Sequence, residues 1–237
     1  QGDWSSIQGN FGPRGSAQTD LSNVATYSAY QALLADSSVD LVDICLPTDQ
    51  HEEVVIEALT AGKHVLVEKP ISIELTAADR MLAAADKAGR ILMVAQVLPF
   101  FPEFRWVREC ADSREFGKLL AASFRRVIAP PDWSADMSDF RKLGGWGIDL
   151  HIHDNHYIGL LCGVPRAVYS RGLLKEGFVN HVSTQYSFDD SELTVNCVSG
   201  GLAADGLKFA SSFELFFEQA TVQFDAGTYG EDWVVNR

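Results

Sequence analysis

The chain is short of positive charge, of cysteine and of long apolar runs. Its 19 Lys and Arg face 32 Asp and Glu, a formal net charge of −13. That balance repels phosphate backbones and anionic lipid, so nucleic acid and membrane surfaces are excluded as partners. The four cysteines, Cys45, Cys110, Cys162 and Cys197, are far apart and form no CxxC or finger spacing, which excludes a zinc-finger scaffold. They are expected to be reduced and mostly buried, with Cys45 inside an apolar strand. No apolar run approaches the roughly 18 residues that cross a bilayer, and no signal peptide is visible. The expected location is therefore the cytoplasm. With 237 residues, 46% of them hydrophobic, there is enough apolar surface for one large domain or two modest ones.

A glycine fingerprint is missing too. Gly9, Gly12 and Gly15 have GxxGxxG spacing, but they neither follow a strand nor open a helix, so they are read as loop. From there the periodicity predicts a helix over 27–34, a strand over 39–46, a helix to Ala61 started by an Asp49/Glu52 capping box, and a strand over 64–67. A helix over 76–88 closed by Gly89 and a strand over 91–95 follow. Strand, helix, strand, helix, strand in this order means a parallel, Rossmann-type α/β sheet. After Gln96 the pattern changes. A helix over 103–112, a strand over 119–129 and a helix over 146–162 lead into alternating strands at 167–172, 181–188, 193–198, 209–218 and 221–224. These predict an α+β part built on an open, mostly antiparallel sheet. The expected domains are 1–98 and 99–237.

Two constellations carry chemistry. Val65-Leu66-Val67-Glu68-Lys69-Pro70 is a strand that stops at an acid, a base and a proline. In parallel sheets ligands bind beyond the carboxyl ends of strands, where a partly desolvated lysine can move a proton. A surface Glu68–Lys69 salt bridge is the plainer alternative. In helix 146–162, Asp149, His153 and His156 are spaced i, i+4, i+7 and share one face. From that helix alone three readings stay open: an acid–base imidazole, a metal site, or a hydrogen-bonded core histidine.

Taken together, Pro47-Thr48 with His51, the run Ala61-Gly62-Lys63-His64-Val65-Leu66-Val67-Glu68-Lys69-Pro70, and Gly144-Gly145 before Asp149-x-x-x-His153-Asp154 resemble the Gfo/Idh/MocA family of NAD(P)-dependent oxidoreductases. The resemblance covers about residues 24–225. It implies a Rossmann domain followed by a domain whose open sheet mediates homodimers or homotetramers. It also implies NAD or NADP as cofactor and a sugar or polyol hydroxyl as substrate. By that resemblance Lys69 would touch the reacting hydroxyl, His153 would exchange its proton, and Asp149 would position His153. Pro47, Thr48, His51, Glu68, Lys69 and Gln96 would line the nicotinamide-ribose end of the cofactor, and no metal is implied.

The family's glycine fingerprint and its first βαβ unit, ~30 or more residues, have no counterpart in the chain, and the last sheet ends early. The sequence is thus expected to be part of a longer protein. His151 stands where a small residue is usual and is expected to point away from Asp149 and His153, while Pro99 takes the place of an arginine. These departures motivate a second reading, a non-catalytic cofactor- or sugar-binding member. A metal-dependent hydrolase using Asp149, His153 and His156 is the third.

Overall fold

A computed structural model describes residues 22–129, 139–190, 192–204, 206–229 and 232–236. Gly9, Gly12 and Gly15 lie outside the described residues. Residues 1–39 and 40–237 are separate compact units. In the first, the described residues form one short helix, α1 (Tyr30–Ala35), spanned by a bond in which the Tyr27 hydroxyl donates to Asp36 Oδ2 at 2.6 Å.

The second unit opens with β1 (Leu41–Ile44), α2 (His51–Thr60), β2 (His64–Val67), α3 (Leu75–Ala88) and β3 (Leu92–Val94). The three strands form one parallel sheet in the order β1-β2-β3. Ile44, Val67 and Val94 stand in one row across it. The turns that follow these residues therefore lie side by side at the carboxyl edge. Strand β2 is buried at Val65 and Val67 and only partly covered at His64 and Leu66, so its two faces are not equally sheltered. Helices α2 and α3 bury Val54, Val55, Ala58, Leu59, Ala77, Met81 and Ala85.

Two expectations are corrected here. The Asp49/Glu52 capping box does not form. A 3-10 turn over Thr48–Gln50 leads directly into α2, whose Gln50 cap makes no side-chain bond. Glu52 is drawn instead to Arg80 on α3, whose Nη2 lies 3.1 Å from Glu52 Oε2. Cys45 is exposed rather than buried, because β1 ends one residue before it.

The rest of the unit comprises α4 (Pro102–Ser113), β4 (Leu119–Ile128), the single turn α5 (Phe140–Leu143), α6 (Trp146–Cys162) and β5 (Ala167–Lys175). Strands β6 (Phe178–Ser187), β7 (Thr194–Gly200), β8 (Leu207–Phe217), β9 (Thr221–Tyr229) and β10 (Asp232–Asn236) complete it. These seven strands pair in the order β10-β9-β8-β4-β7-β6-β5. Only the β4–β7 pair is parallel. Strands β5 to β9 run longer than the sequence pattern suggested, β4 ends one residue short of it, and β10 extends the sheet by a strand that the pattern did not reveal.

Alternation along β4 puts Ala122, Phe124 and Arg126 on the buried face. There they join Phe104, Tyr157, Ile158, Tyr186, Val195, Cys197, Phe213 and Leu215. Phe104 and Tyr157 meet edge-on with centroids 4.9 Å apart, and the Tyr157 hydroxyl donates to the Phe104 carbonyl at 2.6 Å. The opposite face is polar. There Asn196 donates to Ser123 Oγ at 2.8 Å, and Arg125 donates to Ser212 Oγ at 3.4 Å.

Helix α6 comes close to the sheet because Gly147 faces β6: a Cβ there would collide with Val179 Cγ1, whereas one at Gly159 would meet nothing within 4 Å. Gly147→Ala should therefore cost ~1–3 kcal/mol through overpacking, while Gly159→Ala should be neutral or stabilising by up to ~1 kcal/mol. Urea unfolding of the two variants checks this, and equal midpoints would contradict the close approach.

Candidate active site

The site lies where the carboxyl edge of the parallel sheet meets α6. Beyond Val67 the backbone leaves the sheet at Glu68, whose N–H donates to the Ile44 carbonyl at 3.0 Å. The Lys69–Pro70 peptide is cis. The fully buried His51 ring fills the space under this turn. Its Nε2 lies 2.9 Å from the Leu46 carbonyl and its Nδ1 3.0 Å from the Pro70 carbonyl. His51 thus ties the loop after β1 to the loop after β2. With both ring nitrogens occupied by main-chain oxygens, it has no free group for a ligand.

Lys69 crosses to α6. Its Nζ is 2.8 Å from Asp149 Oδ1 and 3.1 Å from the Asp149 carbonyl. The lysine side chain is 18% exposed and the aspartate 9%. This is not the surface Glu68–Lys69 bridge. Glu68 Oε2 instead accepts the Lys69 main-chain N–H at 3.1 Å. An ammonium has three N–H bonds, so two acceptors on Asp149 leave one for a ligand.

His153 lies one turn beyond Asp149 on the same stripe, but the carboxylate is spent on Lys69 and does not hold the imidazole. His153 Nδ1 is buried without a partner, and so is His156 Nδ1. Burial first, then the positive charges of Lys69 and Arg126, push the His153 pKa down to about 2. The ring is therefore neutral at ordinary pH. Burial lowers the His156 pKa as well. Among the described residues no three His, Cys, Asp or Glu side chains gather as a metal site.

At the neighbouring strand ends, Thr48 is buried, Pro47 is half-buried and Gln96 follows β3. Gln96 Oε1 is buried without a partner. A free acceptor at this edge suits a group that brings an N–H or O–H. Of the residues singled out from sequence, Lys69 and Asp149 are in direct contact and His153 is beside them. His51 is in the same region but is structural.

Three further participants, Arg126, Ser199 and Tyr186, come from the sheet. Arg126 on β4 donates to Asp154 through Nε at 2.8 Å and Nη2 at 3.0 Å, a forked pair with side chains 5% and 2% exposed. Ser199 and Tyr186 receive His151: its Nδ1 is 3.0 Å from Ser199 Oγ and its Nε2 3.2 Å from the Tyr186 hydroxyl. An arginine in the same alternation as Ala122 and Phe124, the core-facing residues of β4, was the available signal for Arg126.

Residues 10–96 match the family described as the oxidoreductase family, NAD-binding Rossmann fold, whose model is GFO_IDH_MocA. Over that segment the chain carries the sequence signature of the Gfo/Idh/MocA family's NAD-binding Rossmann fold. It is 34% identical to myo-inositol 2-dehydrogenase from Thermotoga maritima, over 54% of this chain and 37% of that protein. It is 30% identical to 1,5-anhydro-D-fructose reductase from Ensifer adhaerens, over 73% of this chain and 54% of the relative. The crystal structure of a probable dehydrogenase from Thermotoga maritima matches with a TM-score of 0.73 at 26% identity, covering 84% of this chain and 61% of that one. The chain thus spans about half the length, or less, of the curated relatives it matches.

The buried neutral histidine has a consequence for stability. Unfolded, His153 binds a proton below about pH 6.5; folded, it does not until about pH 2. The unfolded state therefore gains protons across that window, and stability present above pH 6.5 is lost as pH falls, by up to ~1.4 kcal/mol per pH unit. Between pH 7 and pH 5 the urea midpoint should fall further in the parent than in His153→Leu. Parallel losses in the two proteins would contradict the buried neutral ring.

Proposed function

We propose that this chain is the catalytic portion of an NAD(P)-dependent oxidoreductase that moves a hydride between the nicotinamide and a hydroxyl-bearing carbon of a sugar or polyol. The observation that carries the reading is the Lys69–Asp149 contact with His153 alongside. It sets a cation and a neutral imidazole together at the sheet edge where Rossmann folds bind ligands. The family and the sugar- and polyol-directed relatives support it.

The nicotinamide, when bound, supplies the hydride acceptor or donor. The turn at Pro47 and Thr48, Glu68 and the unpartnered Gln96 Oε1 would hold its ribose end; His51 serves by fixing the two loops. Residues 1–98 would form the cofactor half and 99–237 the substrate half.

Lys69 donates its free N–H to the substrate hydroxyl oxygen. As that oxygen loses its proton, the ammonium stabilises the developing negative charge at short range in a sheltered site. Asp149 keeps the ammonium aimed by holding its other two N–H bonds. The neutral His153 takes the proton, or returns it in the reverse direction. The positive charges nearby make His153 a weak base until the oxygen becomes anionic, which couples its protonation to the redox step.

Homodimers or homotetramers through the polar open face of the seven-stranded sheet, and a cytoplasmic location, complete the proposal. No helix among the described residues is long and apolar enough to cross a membrane. Nothing in the geometry favours the metal-hydrolase reading, and a non-catalytic member would have no use for the Lys69–Asp149 aim.

Spectrophotometric turnover of the full-length protein with a panel of polyols and aldoses tests the reading. Lys69→Ala should lower kcat by ~10²-fold or more, measured at a temperature where the variant is still folded although it melts below the parent. A variant that keeps parental kcat would overturn the assignment.

A further inference from the structure

Helix α6 has two stripes with different work. Asp149, His153 and His156 form one. Gly147, His151, Asp154 and Ile158, at i, i+4, i+7 and i+11, form the other, about 160° around the helix. Every member of the second stripe touches the seven-stranded sheet or its core. Gly147 lies against Val179 of β6, and Ile158 joins the aromatic core. Asp154 takes the forked Arg126 pair from β4. His151 is held by Ser199 of β7 and Tyr186 of β6.

An apolar stripe would have sufficed to bury this face, and exchanging a buried ion pair for well-packed apolar groups is often neutral or stabilising. What the polar contacts add is direction. A forked guanidinium–carboxylate pair and a ring clasped at both nitrogens fix rotation about the helix axis, which leucine-like packing tolerates over a range. Rotating α6 by one residue step, about 100°, would carry Asp149 away from Lys69.

We infer that Arg126, Asp154, His151 and Ser199 are positioning residues, a polar dock on the sheet side of α6 that sets the helix's rotation and so delivers Asp149 to Lys69 on its far side. None of them touches the reacting groups; apart from the charge of Arg126, which His153 feels, they act through the backbone of α6. The two neighbouring residues 153 and 154 thus divide the labour, one facing the site and one the dock. The inference rests on the Lys69–Asp149–His153 reading for its catalytic meaning, but its test reads Lys69 directly, so a failure here differs from a failure to turn over a substrate.

The test is acetic anhydride labelling of the chain's lysines, followed by peptide mass spectrometry, with the exposed Lys87 as internal reference. Lys69 in the parent should label slowly because Asp149 holds its ammonium. In the double variant Arg126→Met/Asp154→Leu, which fills the space without the fork, Lys69 labelling relative to Lys87 should rise about fivefold or more while the urea midpoint stays near that of the parent. A double variant with the parental midpoint and parental Lys69 labelling would overturn the inference, since the pair would then serve stability alone. Should the double variant fail to fold, Ser199→Ala decides, because it removes one hydroxyl and leaves the ion pair. Raised Lys69 labelling in that variant supports the dock, and parental labelling overturns it.

Discussion

The structure turns on one short contact, Lys69 Nζ to Asp149 Oδ1 at 2.8 Å. The two residues are eighty positions apart in sequence, and each sits at the end of a long chain of local constraints. Lys69 is where it is because β2 stops at Val67 and the buried His51 ring ties its turn to the turn after β1. Asp149 is where it is because α6 starts at Trp146 and is seated on the sheet. An ion pair this sheltered is costly to leave half-made: removing either partner strands a charge in a place where water cannot fully replace it.

That contact explains the division of roles among the titratable groups of α6. A carboxylate shared between Lys69 and His153 would have raised the imidazole's affinity for a proton. Committed to Lys69, it leaves His153 neutral under burial and nearby positive charge. The same helix carries a second carboxylate, Asp154, that is wholly absorbed by Arg126. The site thus offers a ligand one directed cation and one neutral ring, with both acidic groups already engaged. That combination suits a hydroxyl oxygen better than an anionic substituent.

Much of this was legible in the sequence, and the reasons are physical. Strand 64–67 and helix 146–162 were placed correctly because their stops are unambiguous: Pro70 cannot extend a strand, and Gly163 ends the helix at a positive φ of 84° that suits glycine. The shared face of Asp149, His153 and His156 follows from helical spacing alone. Three things were not legible. Asp49 and Glu52 have capping-box spacing, but a 3-10 turn advances the helix start and Arg80, distant in sequence, outcompetes the cap for Glu52. His51 looked like a ligand-facing residue, and only the fold brings the Leu46 and Pro70 carbonyls to its two nitrogens. The Arg126–Asp154 fork joins a strand to a helix across 28 residues, a pairing that no local period announces.

The central claim is that Lys69 and Asp149 stabilise each other across the junction of the parallel sheet and α6. A double-mutant cycle with Lys69→Met, Asp149→Asn and both together, read by urea unfolding at pH 7, measures that coupling directly. The account predicts a coupling free energy of ~1–3 kcal/mol, with either single change costing more than its share of the double change. Additive effects, with coupling within ~0.3 kcal/mol of zero, would contradict it.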